Sequence, residues 1–140
     1  MRVRQASRRV SRLYDEALRP VGVQVSQLTV LVATAMFGEA GVKIGVMADA
    51  LGMERTTLTR NLRPLEKEGW IRVARDPADA RARIVLLTRA GERTIEKAFP
   101  LWEQSQKRLR ALLGKGQADE LRKSLMSVSS KCAEEEASSP

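Results

Sequence analysis

The side chains of Thr56, Thr57, Thr59, Arg60, Arg63 and Lys67 can all donate hydrogen bonds, and their spacing suits one side of a helix. With Leu58, Leu62 and Leu65 as the buried stripe, a step of about 100° per residue sends Thr56, Arg60, Arg63 and Lys67 to the opposite side. Thr57 and Thr59 then sit on the flanks. A guanidinium can take O6 and N7 of a guanine together, and a threonine can meet a phosphate or a thymine methyl. The early positions Thr56, Thr57 and Arg60 suit bases; Arg63 and Lys67, further back, suit phosphates. A second basic set follows, Arg72, Arg75, Arg81 and Arg83 against Asp76 and Asp79. In the run Asp79-Ala80-Arg81 the carboxylate can hold the guanidinium, which then enters a narrow, negative minor groove. Each set alone also fits a blander reading, a solvated helix face or a salt-bridged turn. Together they point to recognition of a polyanion.

The elements needed to position these groups are legible around them. A helix over 46–51, a turn at Gly52, a helix over 54–68 stopped by Gly69, and strands over 70–75 and 83–87 joined at Asp76-Pro77 form a winged helix-turn-helix. A short strand over 42–45 precedes them. In the hairpin, Ile71/Val73 and Ile84/Leu86 are read as the inward sides. Pro64 takes one backbone donor out of the second helix. Upstream, Val3, Ala6, Val10, Leu13, Ala17 and Leu18 predict an amphipathic helix over 2–19, ended by Pro20 and Gly22. After the connector at 21–24, Ser26 is the expected cap of a helix ended by Gly38 and Gly41. Leu28, Val30, Leu31, Val32, Ala35, Met36 and Phe37 give that helix an almost all-round apolar surface, which predicts burial near the centre. Downstream, Thr88 should cap a helix of about 25 residues, with Glu92 in its first turns. Ile95, Phe99, Trp102, Leu109, Leu112 and Leu113 form its stripe, and Pro100 should kink it. Gly114 and Gly116 precede a last helix with Leu121, Leu125, Met126 and Val128 on one side, and the acidic, serine-rich end is expected to fray.

The composition narrows the classes of function. The chain has 140 residues, a net charge of +8 and an isoelectric point near 10.4. Each phosphate neutralised by a cation releases a condensed counterion, so the balance favours a polyanionic partner. There is no histidine, and Cys132 is the one cysteine. That excludes an intrachain disulfide, a Cys/His zinc site and any histidine relay. No glycine-rich phosphate loop is present either. The expectation is a non-enzyme without metal or cofactor. No run approaches the roughly 20 apolar residues of a membrane span. Arg2, Arg4, Arg8 and Arg9 are followed by Tyr14, Asp15 and Glu16, not by an apolar block, so a cytoplasmic location is expected.

The order of elements, the stretch ADALGMERTTLTRNLRPLEKEGWI, the wing DPADARARIVLLT and the AFPLWEQSQ segment resemble the MarR family of bacterial transcription regulators over nearly the whole chain. The resemblance implies a mainly α fold with a small β-hairpin wing. It implies a single domain, with the winged helix-turn-helix at 26–88 and dimerisation helices at 2–25 and 89–137. The terminal helices independently carry more apolar surface than one small core can cover. It further implies a homodimer, usually a repressor, on double-stranded DNA with a pseudo-palindromic operator. The matching positions give DNA contact to Thr56, Thr57, Thr59, Arg60, Arg63 and Lys67, and to Arg75, Asp79, Arg81 and Arg83 in the wing. Family members often carry two consecutive arginines in the wing; here Ala80 precedes Arg81, which removes one contact. A small aromatic effector is implied, with Tyr14, Leu18, Met36, Phe37, Phe99 and Trp102 as pocket candidates; core or dimer packing is the alternative for each. Oxidant-sensing members use a cysteine near the N-terminus, which is absent here, and Cys132 is read as a buried or idle thiol. The competing function is an architectural or constitutive DNA-binding protein that senses nothing.

Overall fold

The computed structural model describes residues 1–138. The elements run α1 (Arg2–Leu18), a 3-10 turn (Arg19–Val21), α2 (Val25–Met36), β1 (Val42–Lys43), α3 (Ile44–Leu51), α4 (Arg55–Lys67), β2 (Ile71–Asp76), β3 (Asp79–Leu87), α5 (Arg89–Leu113) and α6 (Lys115–Ser138). They fall into two compact units, Met1–Glu103 and the part from Gln104 onward. The first unit holds the core: Leu18, Leu31, Met47, Leu58, Leu65 and Val85 are fully buried.

The α1–α2 corner departs from the expected capping. Gln24, not Ser26, is the cap residue of α2. The Val25 N–H donates to Asp15 Oδ1 at 2.7 Å, and the Gln24 N–H donates to Gln27 Oε1 at 2.9 Å. These two acceptors satisfy the N–H groups of Gln24 and Val25, so the helix starts before Ser26 is reached. The helix is also one-sided. Leu28, Val30, Leu31 and Thr34 are buried, whereas Met36 is 83% exposed. The Thr34 hydroxyl escapes penalty by donating to the Val30 carbonyl at 2.8 Å.

The sheet has the order β1-β3-β2, all antiparallel. β3 begins at Asp79, four residues before the expected strand at 83–87. The register also corrects the expected inward sides. Ile71 faces Leu87 and Val73 faces Val85, so those four share a face, while Ile84 lies opposite Ala74 on the other. Both Ile84 and Val85 are buried. A central strand covered on both faces loses the period-2 signal, which is why the alternation misled.

Thr88 ties the wing to α5. Its hydroxyl lies 2.6 Å from the Gly69 carbonyl and 3.0 Å from the Trp70 carbonyl, and its oxygen accepts from the Gly91 N–H at 3.1 Å. The Glu92 N–H reaches the Thr88 carbonyl at 2.9 Å, as a helix start requires. The buried side of α5 in this unit is Gly91, Thr94 and Ala98, not the bulky stripe expected from Ile95, Phe99 and Trp102. Phe99 is 52% exposed. α5 runs unbroken through Pro100. In the second unit Gly114 takes φ 82° between the helices. No residue of α6 is buried, and Cys132 is exposed rather than sequestered. The expected frayed end is helical through Ser138, whose hydroxyl donates to the Glu134 carbonyl at 2.8 Å; residues 139–140 lie outside the described part.

Gly91 is where α5 passes closest to the wing stem. A Cβ there would overlap the Trp70 carbonyl oxygen and come within 2.7 Å of Leu87 Cδ1. Backbone cannot yield as a flexible side chain does. Gly91→Ala should therefore destabilise the protein by about 1–3 kcal/mol, read as a lower urea midpoint at unchanged m. An unaltered midpoint would contradict this packing.

Candidate nucleic-acid interface

The turn between α3 and α4 is made by Gly52 at φ 60°, ψ 38°. The Met53 N–H then reaches back to the Ala48 carbonyl at 2.9 Å, closing the end of α3. α4 follows at once from Glu54. Its stripe Leu58, Leu62 and Leu65 is buried to 0–2% exposure. Thr56, Thr57, Thr59, Arg60, Arg63 and Lys67 are all exposed. The Thr59 hydroxyl donates to the Arg55 carbonyl at 2.8 Å, so it offers a methyl group and an acceptor rather than a donor. α4 continues through Pro64, which has no N–H for the Arg60 carbonyl one turn earlier.

The wing is the β2–β3 hairpin, turning at Pro77-Ala78. Asp76 Oδ1 accepts the Ala78 N–H at 2.9 Å, and Asp76 pairs with Lys43 Nζ of β1 at 3.3 Å. Arg75 and Arg83 lie directly opposite each other across the hairpin. Two like charges in that position repel, and the arrangement is favoured by an anion between or before them. Arg75, Asp79, Arg81 and Arg83 are exposed. Asp79 does brace the wing, but not as expected: its Oδ1 accepts the backbone N–H of Arg81 at 3.1 Å, and no salt bridge to the guanidinium forms. An Asx turn takes the nearest donor, and the nearest is the amide. Among the described residues the Arg81 guanidinium has no carboxylate within 4.0 Å.

Helix and wing converge. Arg63, Thr59, Glu66 and Leu62 of α4 line a cleft of about 400 Å³ together with Val73 and Arg83 of the wing. Glu66 Oε1 accepts the Val73 N–H at 3.1 Å, which locks the wing stem to the back of α4. Among the described residues, no carboxylate lies within 4.0 Å of Arg60, Arg63, Lys67, Arg75, Arg81 or Arg83. Sequence reasoning missed three contributors. Lys43 and Glu66 act through contacts across elements, which no local pattern announces. Arg55 had a signal, a cation at the first position of a helix, where the dipole disfavours it.

The six effector candidates do not share one environment. Tyr14 and Leu18 are in the core; Met36, Phe37 and Phe99 are exposed, and Trp102 is half-buried. Phe99 and Trp102 are brought together, their rings stacked with centroids 5.7 Å apart.

The Asp76 carboxyl is held below its ordinary value of 3.8, first by the Ala78 N–H and then by Lys43, with burial opposing. A depressed acid contributes stability above its unfolded pKa and loses it as pH falls through the folded value. Asp76→Asn should thus lower the unfolding midpoint at neutral pH, and the gap to the parent should close as pH falls below 3.8. A gap that persists in acid would mean that packing, not charge, is at stake.

Comparisons with known proteins agree with this geometry. Residues 21–82 match the MarR family profile. The HTH-type transcriptional regulator YwoH of Bacillus subtilis is 30% identical over 95 residues, covering 68% of this chain and 67% of that one. The transcriptional regulator MosR of M. tuberculosis, solved in complex with DNA, superposes with a TM-score of 0.83 at 32% identity, over 94% of this chain and 92% of that one. The transcriptional repressor CouR of Rhodococcus jostii, bound to a 23-mer DNA duplex, gives 0.79 at 28% identity, over 91% and 89%. The helix pair and the wing up to residue 82 lie inside the matched segment, with only 83–87 of β3 beyond it, and this chain belongs to the MarR family of transcriptional regulators.

Proposed function

We propose that this protein is a sequence-specific, DNA-binding transcriptional regulator that works as a homodimeric repressor on a pseudo-palindromic operator. The observation that carries the reading is the exposed row on α4 beside the wing, whose cations, like those of α4, have no carboxylate within 4.0 Å among the described residues. Thr56, Thr57 and Arg60 meet base edges, Arg63 and Lys67 meet phosphates, and Arg81 enters the minor groove, with Arg75 and Arg83 on the flanking backbone. Asp79 shapes the loop that carries Arg81. MosR and CouR, both similar over most of their length, were solved on DNA, and CouR is a repressor. Dimerisation through 2–25 and 89–137, around a reading head at 26–88, is supported by the exposed Val3, Leu112, Leu121, Leu125, Met126 and Val128. Control by a small aromatic compound is supported by the accessible Phe37, Phe99 and Trp102 rings.

The deciding experiment is selection of bound sequences from a random duplex pool near physiological salt. An enriched inverted repeat with half-sites about one helical turn apart is expected, with specific binding about 10³-fold or more above non-specific. Absence of enrichment, with affinity that only falls steeply with salt, would favour an architectural role. Arg60→Ala should cost about 1–3 kcal/mol and relax one base position in each half-site. Arg81→Ala should weaken binding most where the flanks are A·T-rich, since narrow grooves attract arginine. Equal losses on G·C-rich flanks would remove Arg81 from the minor groove.

A further inference from the structure

Arg55 is the first residue of α4, and its guanidinium lies against Gly45 of α3. A Cβ at position 45 would stand 2.7 Å from one Nη, 3.0 Å from Cζ and 3.2 Å from Nε. A methyl group there would push the guanidinium out of this seat, so glycine at 45 permits the position it takes. The seat is electrostatically poor in the free protein. It lies at the positive ends of two helices, the first turn of α3 and the first turn of α4. No carboxylate among the described residues is within 4.0 Å of Arg55. The cleft around it, about 400 Å³, is lined by Lys43, Arg55, Arg81 and Arg83 against Asp49 and Asp79. Lys43 is already paired with Asp76.

Its direction also separates Arg55 from the reading row. Seven residues before Leu62, it lies about 20° from that position around the helix, and about 140° from Arg60. Thr59 and Leu62, its neighbours on that side, face the wing cleft. A side chain there does not reach the base edges offered to Arg60. It faces the cleft between α4 and the wing instead.

We propose that Arg55, seated on Gly45, binds a DNA backbone phosphate in the cleft between the recognition helix and the wing. Gly45 is then a positioning residue for that contact. The inference rests on the DNA-binding reading given above.

The test measures fluorescence anisotropy on the selected operator across a salt series, for the parent and for Arg55→Ala, Arg55→Lys and Gly45→Ala. Melting curves confirm that each variant is folded. Arg55→Ala should bind roughly three- to tenfold more weakly at near-physiological salt, with the slope of log K against log salt shallower by about 1 and the selected sequence unchanged. Arg55→Lys should keep the slope. Gly45→Ala should weaken binding in the parent, but add nothing when combined with Arg55→Ala, because both remove one contact. An unchanged affinity and slope in Arg55→Ala, while Arg60→Ala still alters sequence preference, would overturn the Arg55 assignment and leave the regulator reading intact. A changed base preference in Arg55→Ala would make it a base reader and overturn the phosphate role. A parent that binds no duplex at all would remove both.

Discussion

The rotation of α4 about its own axis is the constraint on which the rest of the interface depends. Leu58, Leu62 and Leu65 are almost wholly removed from solvent. Burying such side chains contributes about 1.5–3 kcal/mol each. Turning the helix to bury Arg60 or Arg63 instead would forfeit that and add the desolvation of an unpaired charge, several kcal/mol more. Only one rotation is therefore stable, and it presents threonines and arginines outward. Everything else is fastened to this orientation. Glu66 fixes β2 to the back of α4, β2 fixes β3, and Thr88 binds the end of the hairpin to α5 through two carbonyls and one amide.

The same frame explains why the charges of the head remain unneutralised. The pairing of Lys43 with Asp76 is spent on the wing turn, where it holds geometry rather than ligand. The arginines that face outward have no such partner among the described residues. Arg75 and Arg83 are even placed against each other. In water this repulsion is tolerable, because exposed charges are well screened. It becomes an advantage when a phosphate chain supplies the missing counter-charge and releases its own condensed ions. Shape comes from apolar packing, and the unsatisfied electrostatics are kept for the partner.

Where one face of an element is buried against a uniform neighbour, the sequence was readable. The stripe of α4, the Gly52 turn, the Asp76-Pro77 turn and the Thr88 cap each follow from a local rule, and each is present. The misreadings occur where two neighbours compete. β3 is covered on both faces, so its alternation pointed to Ile84 and Leu86 when Val73 in fact faces Val85. The start of α2 is decided by Asp15, ten residues away on α1, so Ser26 was passed over. α5 passes the wing stem at Gly91, and the buried side of the helix there is Gly91, Thr94 and Ala98, which leaves Phe99 outward. Asp79 chose an amide over a guanidinium because the amide was nearer. In each case the deciding group comes from another element or from backbone geometry, neither of which hydropathy records.

α6 carries this logic to the level of assembly. It is 24 residues long and none of them is buried, although Leu121, Leu125, Met126 and Val128 stand on its surface, 46–61% exposed. Helices in water owe most of their stability to a packed apolar face, not to propensity. A helix of this length with its apolar side chains uncovered is thus incomplete as a single chain. Among folded oligomers the commonest completion is a two-fold pair, in which the same patch serves both copies. A two-fold pairing of α6 would duplicate the basic head. Two identical heads would call for two inverted half-sites at a fixed separation, so the operator symmetry proposed above would have its origin in the same exposed apolar side chains that leave α6 incomplete.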